Sequence, residues 1–300
     1  MLRREFDFLG LRRAFFIVSV VLVTVSIGAL AVRGLTFGIE FQGGTVVNLN
    51  RAEGVEIGEV RDAFDEAGLP GVQVQTTENG GFIVRAPEDD PDVANAAYLR
   101  VIETLGLSAD DGDVATIGPG WGRNITRAAL LALTISIAAI LLYVSLRYEY
   151  KMSLTAVFTL GHDVLLVLGV YALVGREVTP STIAALLTIM GYSLYDTIVV
   201  FHRIKENTKA LTRTTFSKMA NHSLNQVFAR SVNTSITSMM PPLMLLLFGG
   251  DTLAGFAFAL VVGIFIGAYS SIAVATPVYT LWKEREPKFQ ALAKKYGAAA

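Results

Sequence analysis

Six stretches of the chain are long and apolar, at 14–32, 127–146, 152–174, 180–201, 232–248 and 253–282. Each is near the ~20 residues that an α-helix needs to cross the hydrocarbon core of a bilayer. Between the first and second stretch, residues 34–126 follow a different rhythm. Residues 45–50 alternate as a strand does, and 56–67 repeat at helical spacing through Ile57, Val60 and Phe64. Residues 71–75 and 82–86 flank Glu78-Asn79-Gly80-Gly81, whose Asn-Gly pair is a strong hairpin signal. A second helix is expected over 92–105, after Pro91, and a last strand over 113–117. The order βαββαβ is the ferredoxin-like pattern. The expected fold is therefore an α-helical membrane protein of six spans, with a ferredoxin-like α+β domain in the first external loop. Its expected divisions are 1–33, 34–126, 127–282 and 283–300.

Charge orients this arrangement. Arg3, Arg4, Arg12 and Arg13 precede the first span, whose apolar run is longer than a signal-peptide core and reads as a retained anchor. Arg147 and Lys151 sit in the next turn on the same side. The loop 202–231 holds Arg203, Lys205, Lys209, Arg213, Lys218 and Arg230 against the single acid Glu206, and the tail adds Lys283, Arg285, Lys288, Lys294 and Lys295. Excess Lys and Arg mark the cytoplasmic side, so both termini are expected there. Residues 34–126 carry 16 Asp or Glu against five Arg and no Lys, which agrees with an external position.

Overall, 52% of residues are hydrophobic, concentrated in these runs. The absence of cysteine excludes disulfides and thiolate metal sites. His162, His202 and His222 are too scattered for a structural zinc site. No phosphate-binding loop, dinucleotide fingerprint or Ser-His-Asp set is present, so no cofactor, metal, nucleic-acid partner or enzymatic activity is expected. Energy coupling would have to draw on an ion gradient, worth ~2.3 kcal/mol per charge per 100 mV.

The candidate chemistry lies inside the spans. Asp196 falls 19 residues after Glu177 and seven before Arg203, about 10 Å from the nearest full charge. An ionised group at such depth costs ~2.5–3.5 kcal/mol or more and should face the bundle interior with a partner. Burial favours the neutral acid and a nearby cation favours the carboxylate, so a group balanced between them can take up and release a proton. The alternative is a static buried ion pair, or hydrogen bonds to Ser or Thr. Arg230 is the expected partner, at matching depth, with Thr234 and Thr237 on the same helical stripe. Those hydroxyls either carry a proton through ordered water or bond to their own i−4 carbonyls. His162-Asp163 lies near the centre of the third span. Neighbours on a helix point about 100° apart, so these two need not touch; His162 either passes protons, as an imidazole near its own pKa can, or acts as a neutral hydrogen-bonder between helices, the favoured reading. Gly255, Ala259, Gly263, Gly267, Ser271 and Ala275 form a small-residue ridge suited to close helix packing. Pro241-Pro242 implies a break or kink in the fifth span.

Several of these segments resemble the SecD/SecF family of the RND superfamily. Phe37-Gly38-Ile39-Glu40-Phe41-Gln42-Gly43-Gly44 is similar to the family signature G-[IL]-D-F-x-G-G, with Glu40 in place of Asp. The segment from Gly191 to Asn207 is similar over its whole length, with Tyr195 where Asn is common and His202 where Asp is common. Arg230–Ser238 resembles Arg-Thr-x-x-Thr-Ser-x-Thr-Thr, with Ser231 and Ser238 in two Thr positions, and His162-Asp163 matches a recurrent pair. The resemblance implies a bacterial inner-membrane subunit that pairs with SecD, contacts the SecYEG translocon, and uses proton flow to move unfolded preprotein. It also implies that Asp196, Arg230, Thr234 and Thr237 conduct protons, with Asp163 a further candidate. A passive scaffold is the competing class. A small-molecule efflux subunit fits less well, because such pumps usually carry twelve spans and two large loops.

Overall fold

The computed structural model describes residues 5–50, 54–77, 80–108, 111–118, 121–249 and 251–297, the side chains of 251 and 252 excepted. Arg3, Arg4 and the tip Glu78-Asn79 of the expected hairpin lie outside the described residues. The chain divides into two units, Phe37–Leu131 and Met1–Thr36 with Ala132–Ala300.

The smaller unit begins with the signature segment, in which α1 (Ile39–Gln42) is closed by Gly43 at φ 78° and leads to Gly44 at φ 115°. Both values favour glycine, and a Cβ on Gly44 would run into the Ala86 carbonyl. The glycine pair thus shapes the entry to a sheet. That sheet contains β1 (Gly44–Leu49), β2 (Gln73–Thr76), β3 (Phe82–Ala86) and β4 (Gly112–Ile117), in the order β2-β3-β1-β4, antiparallel throughout. Two helices complete it, α2 (Ile57–Glu66) and α3 (Pro91–Thr104). Each starts where the sequence supplies a cap. The Glu56 amide donates to Glu59 Oε2, and Asp90 Oδ1 accepts from the amides of Asp92 and Val93 ahead of a helix that opens on Pro91. Alternate strand residues Val47, Leu49, Phe82 and Val84 pack with Val60, Phe64, Tyr98 and Val101 of the helices into one core. The observed order is βαββαβ.

The larger unit is a helical bundle. Its elements are α4 (Arg12–Arg33), the part of α5 (Trp121–Arg147) from residue 132 onward, α6 (Tyr150–Val174), α7 (Pro180–Lys209) and α8 (Phe216–Phe248). The sixth apolar stretch is α9 (Asp251–Ser270), a π-helical turn (Ser271–Ala275) and α10 (Thr276–Glu284), followed by the short α11 (Pro287–Tyr296). Among the described residues, six helices are long and apolar enough to cross a membrane. The chain is a multi-pass membrane protein.

Two features depart from the sequence expectation, and a third agrees with it. Helix α8 passes through Pro241-Pro242 without a break. Each proline removes one N–H donor, a loss that a long helix in a packed bundle tolerates. The basic segment 202–231 is mostly helix rather than loop: α7 extends to Lys209 and α8 begins at Phe216 behind the Thr215 cap. Its first turns bury Phe216, Met219, Ala220, Leu224 and Val227. The N-terminal segment is tied to them, because Phe6 N and Leu9 N donate to Asn225 Oδ1 and Asn221 Oδ1. Finally, the small-residue ridge faces α7: a Cβ on Gly263 would clash with Ile189, and one on Gly267 would meet Ser193.

Candidate functional site

Asp196 comes inward on α7, where its residue is only 6% exposed. Its Oδ2 is buried without a hydrogen-bond partner among the described residues. Beside it is a cavity of ≈ 20 Å³, enough for a single water. Its lining combines Tyr192, Ser193 and Tyr195 of α7, Thr234, Ser235 and Ser238 of α8, and Ile264, Gly267 and Ala268 of α9. Small side chains on α9 leave this space, and hydroxyls on α7 and α8 make it polar. An unpaired carboxylate oxygen beside a water-sized, hydroxyl-lined space is suited to hold an exchangeable proton.

Arg230 is exposed and makes no ion pair among the described residues. The expected Asp196–Arg230 pair is absent. One position along a helix turns the side chain by about 100°, and it is Ser231 that turns inward to Asp196, 2% exposed, its buried hydroxyl without a hydrogen bond of ordinary geometry among the described residues. Thr234 lines the cavity. Thr237 does not: it is exposed, and its hydroxyl donates to the Asn233 and Thr234 carbonyls. Ser235 likewise donates to the Ser231 carbonyl. Tyr195 is 56% exposed. His202 meets the Tyr148 ring edge-on, with centroids 6.3 Å apart.

Asp163 is surrounded quite differently. It is 1% exposed, and its Oδ2 accepts from Ser193 Oγ at 2.6 Å and Ser270 Oγ at 2.8 Å. Its Oδ1 lies 3.0 Å from His162 Nδ1, so the adjacent pair does make contact, which helical spacing does not require. His162 Nε2 is buried and unpartnered among the described residues. Among the described residues, His162 therefore bonds its own neighbour and bridges to no other helix. Nearby, Thr197 Oγ1 and Ser271 Oγ are 3.1 Å apart, and Thr276 Oγ1 donates to the Ser271 carbonyl at 2.9 Å, across the π-turn.

The residues missed by sequence reading are Ser193, Ser231 and Ser270. Ser193 precedes Asp196 by three positions, a spacing that places both on one helix face. Ser270 carried no such signal, because its role depends on which face of α9 meets α6. Among the described residues, no group of three His, Asp or Glu side chains is placed to hold a metal ion.

Residues 98–285 match the family described as Protein export membrane protein SecD/SecF, C-terminal, and residues 28–50 match the SecD/SecF GG motif. The chain is 36% identical to protein translocase subunit SecF of Streptomyces coelicolor, over 97% of its own length and 80% of that relative. It is 37% identical to the Mycobacterium tuberculosis SecF subunit, over 93% of this chain and 67% of that one. The crystal structure of SecDF from Thermus thermophilus superposes with a TM-score of 0.86 at 35% identity, covering 95% of this chain. This chain spans 40% of that longer one. In sequence over nearly its whole length, and in fold, the chain belongs to the SecD/SecF family of protein-export membrane proteins.

Proposed function

We propose that the chain is a SecF-like subunit of the Sec translocase accessory complex, which works with SecD to couple the proton gradient to preprotein translocation. It acts without enzymatic chemistry or a cofactor. Both termini lie in the cytoplasm, and the βαββαβ unit is a ferredoxin-like domain on the outer face of the inner membrane. There it handles unfolded preprotein leaving SecYEG. The proton relay comprises Asp196, Arg230, Thr234, Thr237 and Asp163. In this reading Asp196 is the exchanging acid and Thr234 the hydroxyl nearest its water. Arg230 and Thr237 enter the path only when α8 turns or a partner covers its outer face.

The observation that carries this reading is the unpartnered Asp196 Oδ2 beside a water-sized polar cavity within a membrane span. An acid at that depth that only braced the helices would have its oxygens occupied by donors. The test is export of a secreted reporter by inverted vesicles, with and without a proton gradient, comparing wild type with Asp196→Asn at matched levels. Coupling predicts that the gradient-dependent component disappears while assembly with SecD persists. Export that stays gradient-stimulated to the wild-type extent would instead identify a scaffold.

A further inference from the structure

The middle of the bundle contains a second ionisable site whose geometry differs from that of Asp196. Three groups converge on the Asp163 carboxyl: Ser193 Oγ and Ser270 Oγ on Oδ2, and His162 Nδ1 on Oδ1. The side chains of His162 and Asp163 are 6% and 1% exposed, and among the described residues no Lys or Arg pairs with either. A carboxylate beside a neutral imidazole would leave one uncompensated negative charge inside the bilayer, which burial penalises heavily. One added proton, on the imidazole or on the carboxyl, brings the pair to zero net charge. The 3.0 Å separation of Nδ1 and Oδ1 suits a proton lying between them.

Ser193 gives this pair a route outward. Its hydroxyl has one proton, which it donates to Asp163, and it can still accept. The same side chain lines the cavity beside Asp196. Ser270 offers no comparable route, because its alternative partner is the Gly267 carbonyl of its own helix. The π-turn that starts at Ser271 lies at this spot, and such turns concentrate where a helix serves a function.

We infer that His162 and Asp163 form a second proton-holding site, joined to Asp196 through the Ser193 hydroxyl and the cavity beside it. In the transfer, a cavity water gives a proton to Ser193 Oγ as the original Ser193 proton passes to Asp163 Oδ2. Asp196 then restores the proton lost by the water. One O–H bond breaks for each that forms, and no other reactant is needed. The direction of supply rests on the proton-handling reading of Asp196; occupancy of the pair does not.

Occupancy is read by solid-state NMR of the full chain in lipid bilayers, with labelled His and Asp, in a His202→Gln, His222→Gln background that leaves His162 as the reporter. At neutral pH the expected result is an imidazolium, or a neutral imidazole opposite a protonated carboxyl, with a neutral imidazole in Asp163→Asn. A neutral imidazole opposite an ionised Asp163 carboxylate overturns the site, and the wild-type spectrum alone decides this if the variant misfolds. The connection is read from exchange of the held proton with D₂O. Ser193→Ala is expected to slow it and Ser193→Thr, which keeps the hydroxyl, to restore it. Wild-type exchange in Ser193→Ala refutes the connection. Both readouts need neither gradient nor partner, so they can fail while the Asp196→Asn export test succeeds, and the reverse.

Discussion

At the scale of single residues, the two intramembrane aspartates differ in how fully the protein itself satisfies their oxygens. Asp163 accepts from two serines and contacts His162, whereas Asp196 leaves Oδ2 open. Truncating Asp163 to Ala strands two buried hydroxyls and the imidazole. It is expected to cost roughly 3–5 kcal/mol, the range for breaking a buried ionic cluster. Asp196 Oδ2 has no protein donor to lose, so the melting temperature of Asp196→Asn in nanodiscs is expected to stay near that of wild type. Thermal melts of the two variants side by side check both; equal losses would refute this difference in bonding. One residue of rotation also decides the neighbour of Asp196, which is Ser231 and not Arg230.

At the scale of elements, close approach of α7 and α9 creates the site, and it depends on glycine. Gly263→Leu places atoms where Ile189 stands and is expected to destabilise the bundle by ~1–3 kcal/mol through overpacking. Gly255 has nothing within 4 Å of a built Cβ, so Gly255→Ala on the same ridge is expected to be neutral or stabilising by up to ~1 kcal/mol. Melting curves of the pair separate ridge packing from a general effect of glycine loss. In the βαββαβ unit, Asp90→Ala removes the cap of α3, at an expected cost of about 1 kcal/mol. Faster amide exchange confined to the first turn of α3 would show it.

At the scale of the molecule, the end of the bundle that gathers both terminal segments is held by ion pairs as well as by an apolar core of Phe8, Phe201, Phe216, Tyr279 and Phe289. Lys151 reaches Glu286 at 2.7 Å, and Lys283 bridges Glu149 at 2.5 Å and Glu286 at 3.0 Å. Burial works against ionisation of Glu286, but its hydrogen bonds and attraction to the two lysines outweigh it and hold the carboxyl below the ordinary 4.5. A depressed value means that this stabilisation is fully present above pH 4.5 and is lost as pH falls through the lower folded-state value. Glu286→Gln is therefore expected to melt below wild type at neutral pH, with the gap closing in acid. A gap that widened on acidification would contradict the assignment.

The sequence by itself determined the elements. Apolar length placed six spans, since a bilayer admits few other solutions, and strand alternation, helical spacing through Ile57, Val60 and Phe64, and Pro91 placed strands and helices of the smaller unit. It also singled out Asp163 and Asp196, because acids are rare at such depth. What only the tertiary structure decided was which faces meet. A helix carries its pattern locally, but whether residue 230 or 231 points inward, or whether Ser270 reaches Asp163, depends on rotations set by packing against other helices. Gly263 and Gly267 bring α9 onto α7, and that approach turns scattered serines and threonines into one polar interior.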